Sequence, residues 1–145
     1  MVIDKIDERH NNFREGCALN REKVIFGFFI ILALTLNVGF VFGDIDNPAH
    51  HEVIELFLAI VVSLICTVLK FGDRSHLGAL LLATSFVADL QLIAAALVCG
   101  YAEQLSAHGM TDAAMASVVS LAAGALVANI ISVILLVVET ASIRR

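Results

Sequence analysis

The sequence predicts an all-α integral membrane protein, a bundle of four transmembrane helices with both termini in the cytoplasm. Three observations predict it. Hydrophobic residues fill 59% of the 145 positions and charged residues 16%, against about 45–50% and about 25% in soluble domains. The apolar residues gather into four runs, each long enough to cross a hydrocarbon core about 30 Å thick. All nine Lys and Arg residues fall on one side of that four-span arrangement, the bias that sets orientation in a membrane.

Residues 1–23 are a polar cytoplasmic segment with five basic and five acidic side chains. Ile3, Ile6, Phe13 and Cys17 recur at spacings of three, seven and four. That spacing predicts a short amphipathic helix lying on the membrane surface or against a partner; a partly ordered tail is the alternative. The apolar run that follows is about 20 residues, longer than a signal-peptide core, so it is expected to be retained as a span.

The transmembrane domain is expected over residues 24–145. Span one covers 24–42, with Asn20 as a start signal and Gly43-Asp44 opening an outer loop. Span two covers 52–70. Asn47 can cap it and Pro48 fits the first helical position. Gly72-Asp73-Arg74-Ser75 is a tight turn that makes spans two and three a hairpin. Span three covers 76–102, and span four covers 112–140 with Thr111 as its cap. No loop is large enough to hold a cleft, so any chemistry belongs to the bundle or its mouths.

The basic residues are Lys5, Arg9, Arg14, Arg21, Lys23, Lys70, Arg74, Arg144 and Arg145, all on the inner side. The outer loops carry Asp44, Asp46, Glu52, Glu103 and Asp112 instead. The net charge of −5 says little about nucleic acid by itself, but with no basic patch and no aromatic-rich binding strand, no nucleic-acid partner is expected. Cys17, Cys66 and Cys99 are odd in number and widely spaced, which excludes a disulfide framework or a zinc site.

Asp89 is the sharpest feature. It lies near the middle of span three, where a carboxylate is costly unless paired, protonated or hydrated. The nearest basic residue on its hairpin is His76, about 20 Å along the helix. Helical spacing puts Gly78, Leu82, Ser85, Ile93, Ala96 and Gly100 on or near its face. Two readings follow: a charged group on a cation path, or a protonated acid bonded to Asn37 or Asn129 as glue between helices. Gln91 points about 200° away, toward a different neighbour. In span four, Ala116, Ser120, Gly124, Ala128 and Ser132 stand at every fourth position, a small-residue stripe that lets two helix backbones approach closely.

The outer segment supplies Asp44, Asp46, Glu52 and Glu55, an acidic mouth that would attract cations. Metal binding by His51 and Glu55, one turn apart, is a weaker reading, since acids near helix starts suit the helix dipole. Asn37-Val38-Gly39-Phe40-Val41-Phe42-Gly43-Asp44 faintly matches a potassium-filter pattern, but two extra residues break it. No nucleophile–base pair, phosphate loop or haem-ligand pair is visible, so neither an enzyme nor a cofactor is expected.

Two segments carry a resemblance. Ser63-Leu64-Ile65-Cys66-Thr67-Val68-Leu69-Lys70-Phe71-Gly72 and Ser85-Phe86-Val87-Ala88-Asp89-Leu90-Gln91-Leu92-Ile93 resemble an uncharacterised family of small bacterial inner-membrane proteins. That family has Leu-Lys-Ile-Gly after the second span and Val-Ala-Asp-Leu-x-Leu-Ile in the third. The likeness runs over Leu56–Val98 and leaves residues 1–23 outside it. It implies a bacterial origin and motif status for Lys70 and Asp89, and it implies no activity.

Together these features lead to an oligomeric channel or transport protein for cations in the bacterial inner membrane. Asp89, Ser85, Asn37 and Asn129 are its expected pathway or gating residues, with copies of Asp89 gathered near a symmetry axis. Its partners would be membrane lipid, further copies of the chain and cations. The competing expectation is a non-conducting accessory or scaffold subunit of a larger membrane complex.

Overall fold

The computed structural model describes residues 2–42, 53–72, 75–107 and 109–142, without the side chains of 2–20 and 22. Every regular element among them is helical: α1 (Val2–Phe42), α2 (Val53–Lys70), α3 (His76–Gln104) and α4 (Asp112–Ser142). All four contain stretches long and apolar enough to cross a membrane. Each helix packs on its neighbours in sequence, and α4 closes the ring against α1. The pairs across the diagonal barely meet, so the section is a four-cornered bundle.

The buried positions explain the packing. On α1 they are Phe26, Ile30, Ala33, Asn37 and Phe40. On α3 they step through Gly78, Leu81, Ser85, Ala88, Leu92, Ala95, Cys99 and Ala102. These are alternating steps of three and four, the seam of helices that cross at a shallow angle and interlock side chains. The seam of α2 (Leu56, Ala59, Ser63, Cys66, Lys70) and that of α4 (Val118, Ala122, Ala125, Asn129, Ser132) repeat the pattern.

Large apolar side chains point outward. Phe28, Phe57, Leu90, Leu97 and Val137 are all more than 60% exposed. Many of the seam residues are Ala, Gly or Ser. This suits helices packed in lipid, where tails solvate large side chains and small residues bring backbones together.

Local signals account for the helix ends. Ser75 caps α3 by accepting the Gly78 backbone N–H at 2.9 Å. Thr111 caps α4, its Oγ1 accepting the Ala114 N–H at 3.2 Å. Gly72 (φ 142°) makes the sharp exit from α2 that a side chain would resist.

Two expectations are corrected in α1. The helix runs unbroken from Val2 to Phe42, so Asn20 does not start it and residues 2–22 form no separate helix on the membrane surface. At 1.5 Å per residue its 41 residues reach about 62 Å, roughly twice the hydrocarbon thickness. Residues 37–42 are part of the same helix. Their carbonyls point along the helix axis, which rules out a filter loop there. The outer-segment residues Asp44, Asp46, Asn47, Pro48, His51 and Glu52 lie outside the described residues.

Candidate functional site: a polar layer inside the bundle

Two apolar clusters fill the interior. One includes Phe40, Leu56, Leu92, Cys99, Val118 and Ala122, toward the α1–α2 loop. The other comprises Phe26, Ile30, Ala33, Val62, Cys66 and Leu81, toward the α2–α3 turn. Polar residues occupy the seams where these clusters meet. Asn37 falls between Ala33 and Phe40 on α1, and Ser85 and Asp89 fall between Leu81 and Leu92 on α3. Asn129 follows Ala128 on α4. Asn37 is 0% exposed, Ser85 and Asn129 1%, and Asp89 4%.

Asp89 flanks the α3 seam on the side of α2. Its Oδ1 accepts the Ser63 hydroxyl at 2.6 Å and its Oδ2 accepts the Thr67 hydroxyl at 2.5 Å. Ser63 and Thr67 are one turn apart on α2, so a single helix face presents both donors to both oxygens. Among the described residues both Asp89 oxygens are met by neutral hydroxyls of α2.

The expected glue partners are corrected accordingly. Asp89 bonds hydroxyls of α2, not Asn37 or Asn129. The side-chain nitrogen and oxygen of Asn37 and of Asn129, and the Ser85 hydroxyl, are buried with no hydrogen-bond partner among the described residues. Buried polar atoms are rarely left this way, because each forgoes its bond to water at a cost of about 1–3 kcal/mol. Within the single chain the Asp89 side chain faces the interior of its own bundle. Of the residues expected on its face, Ile93 and Gly100 are exposed, because the seam advances in 3.5-residue steps and drifts away from them.

The span-four stripe divides. Its inner half meets α3. Gln91 lies over Gly124, where an added Cβ would come within 2.5 Å of Gln91 Nε2. Ser132 shares a 2.6 Å hydrogen bond with Thr84, and Ala128 is buried. Ala116 and Ser120, in the outer half, are exposed. Gln91 does face a different neighbour from Asp89, but its Oε1 finds no partner among the described residues. Of the acidic mouth only Glu55 is described, half-buried against Gly39 of α1.

A second polar group passed unnoticed in the sequence. Glu139, buried near the end of α4, meets Lys23 of α1 at 3.2 Å and Lys70 of α2 at 3.6 Å. The Lys70 ammonium also sits 4.7 Å from the centre of the Phe26 ring. One carboxylate thus ties three helices together at one end of the bundle. Charges of opposite sign at the same end of three helices were the signal that could have revealed it.

Among the described residues, no cluster of three or more His, Cys, Asp or Glu side chains could hold a metal ion. The buried groups of the polar layer are the Asp89 carboxyl group, hydroxyls and amides. No curated protein and no solved structure matches the chain. A family model does match residues 50–140, which takes in α2, α3 and nearly all of α4, with Ser63, Thr67, Lys70, Asp89 and Glu139. By that match the chain belongs to DUF6394, a family of unknown function.

Proposed function

We propose that this chain moves cations across the bacterial inner membrane through the interior of its own four-helix bundle, with Asp89 as the central charge. The observation that carries the reading is a buried carboxylate, bonded at both oxygens by neutral hydroxyls, in a layer of unpartnered polar side chains. An intramembrane acid that faces a bundle interior marks ion or proton pathways by default. The apolar clusters on either side shut the layer off. Passage then requires the helices to rearrange, as in a carrier or a closed channel. Homo-oligomers would hold one path per chain, and the termini would be cytoplasmic.

Cation flux into proteoliposomes, wild type against Asp89→Asn, tests the reading. Asn keeps the shape and removes the charge. Flux should fall at least tenfold while the protein still assembles. Equal flux in both proteins, or none above empty vesicles at any pH or voltage, overturns it.

The satisfied carboxylate favours a second reading, the accessory subunit. In that role the Ser63–Asp89–Thr67 cluster is a fixed tie between α2 and α3, and the chain carries no flux.

A further inference from the structure

A buried acid met only by neutral hydroxyls among the described residues, in a bundle whose other buried oxygens lack partners, has the donor chemistry of a cation site. We propose that the polar layer binds one dehydrated monovalent metal cation of the sodium class, ligated by Asp89 and the buried hydroxyl and amide oxygens around it. The inference deepens the cation-transport reading and rests on it.

The chemistry narrows the ligand. Each Asp89 oxygen accepts one hydroxyl and keeps a further lone pair. Ser63 and Thr67 donate their protons to Asp89, so their oxygen lone pairs remain able to face a cation. Ser85 lies one turn before Asp89 on α3, with Cβ atoms about 5–6 Å apart, and its hydroxyl has no partner among the described residues. Asn37 and Asn129 bring unpartnered amide oxygens from α1 and α4, both fully enclosed. Each of the four helices therefore carries at least one buried side-chain oxygen in the stretch between the two apolar clusters.

Charge balance selects the valence. One carboxylate neutralises one positive charge, whereas a divalent ion would leave an uncompensated charge in a low-dielectric interior, at heavy desolvation cost. Oxygen-only ligands disfavour the softer transition metals, which prefer imidazole and thiolate. The apolar clusters above and below exclude bulk water, so the ion must shed its shell and take these oxygens in exchange.

Purified full-length protein tests the site without any transport assay. Thermal loss of the helical circular-dichroism signal is followed while sodium, potassium or calcium chloride replaces N-methylglucamine chloride at fixed pH and ionic strength. A ligand that binds only the folded state raises the melting temperature in a saturable way. Sodium should raise it by roughly 5 °C, and Asp89→Asn should abolish the rise. Ser85→Ala guards against a misfolded variant. Removing an unpartnered buried hydroxyl should leave the cation-free protein at least as stable, yet raise the sodium concentration for half-maximal effect at least tenfold.

The site is overturned if alkali cations leave the wild type unchanged, if Asp89→Asn responds as the wild type does, or if calcium alone stabilises. Sodium-dependent stability without flux keeps the site and sinks the transport reading. Proton flux without any alkali-cation effect sinks the site and keeps transport.

Discussion

At the scale of single residues, hydroxyls that look alike in sequence differ greatly in consequence. Thr35 donates to the Leu32 carbonyl of its own helix and is exposed, so Thr35→Val should change stability by less than about 0.5 kcal/mol. Thr67→Val strips one donor from the buried carboxylate and should cost about 1.5–3 kcal/mol. Denaturant unfolding in detergent checks both; similar effects would mean that the Thr67–Asp89 bond contributes nothing. Glu139→Gln should be more damaging, about 3–5 kcal/mol, because it leaves two lysines without their shared anion and Lys70 is only 6% exposed. Replacing Lys23, Lys70 and Glu139 together by apolar residues should recover much of that loss in the same unfolding assay. Asp89 was legible from the sequence because a mid-span acid is costly anywhere. Its partners were not, since a Ser or Thr in a span can as readily bond its own backbone, as Thr35, Thr84 and Thr140 do. Glu139 was hidden by its place near the end of a span, where an acid passes for an ordinary surface charge.

At the scale of helices, the ends were readable and the depth of the seam was not. The described helices begin or end within about two residues of the expected spans at most of their termini, since caps such as Ser75 and Thr111 are local signals. Which face turns inward is decided by three neighbours at once. A 3.6-residue projection put Ile93 and Gly100 beside Asp89, whereas the three-and-four seam drifts past them. Written as that seam, the polar residues Asn37, Ser63, Ser85, Asn129 and Ser132 fall into register, and the layer becomes visible in the sequence. On α4, Gly124 lies directly under the Gln91 side chain of α3. An alanine there displaces only the flexible end of Gln91 and should be mild. Gly124→Leu cannot be accommodated that way and should cost about 1–3 kcal/mol or prevent assembly. Ile131→Leu, at an exposed position of the same helix, should stay within about 0.5 kcal/mol. Size-exclusion profile and unfolding midpoint in detergent decide it. Native behaviour of Gly124→Leu would show that the seam tolerates bulk.

At the scale of the whole molecule, orientation in the membrane follows from charge that the fold itself does not use. Lys23 and Lys70 are tied to Glu139, but the other seven Lys and Arg residues add to the same side in the sequence. Moving that many positive charges through a bilayer is opposed by both desolvation and the membrane potential. The end of the bundle with Lys23, Lys70 and Glu139 is therefore expected to face the cytoplasm, with the α1 extension beyond Lys23 running some 30 Å into it. The α1–α2 and α3–α4 connections then face outward. Single-cysteine reporters test this once Cys17, Cys66 and Cys99 are replaced by Ser or Ala. In intact cells a membrane-impermeant maleimide should label Ala49→Cys and leave Ser75→Cys untouched, and permeabilised cells should label both. Labelling of Ser75→Cys alone in intact cells would invert the protein. It would also turn the Lys–Glu cluster from a closure on the cytoplasmic side into one on the outside, and the direction assigned to any cation path through Asp89 would reverse with it.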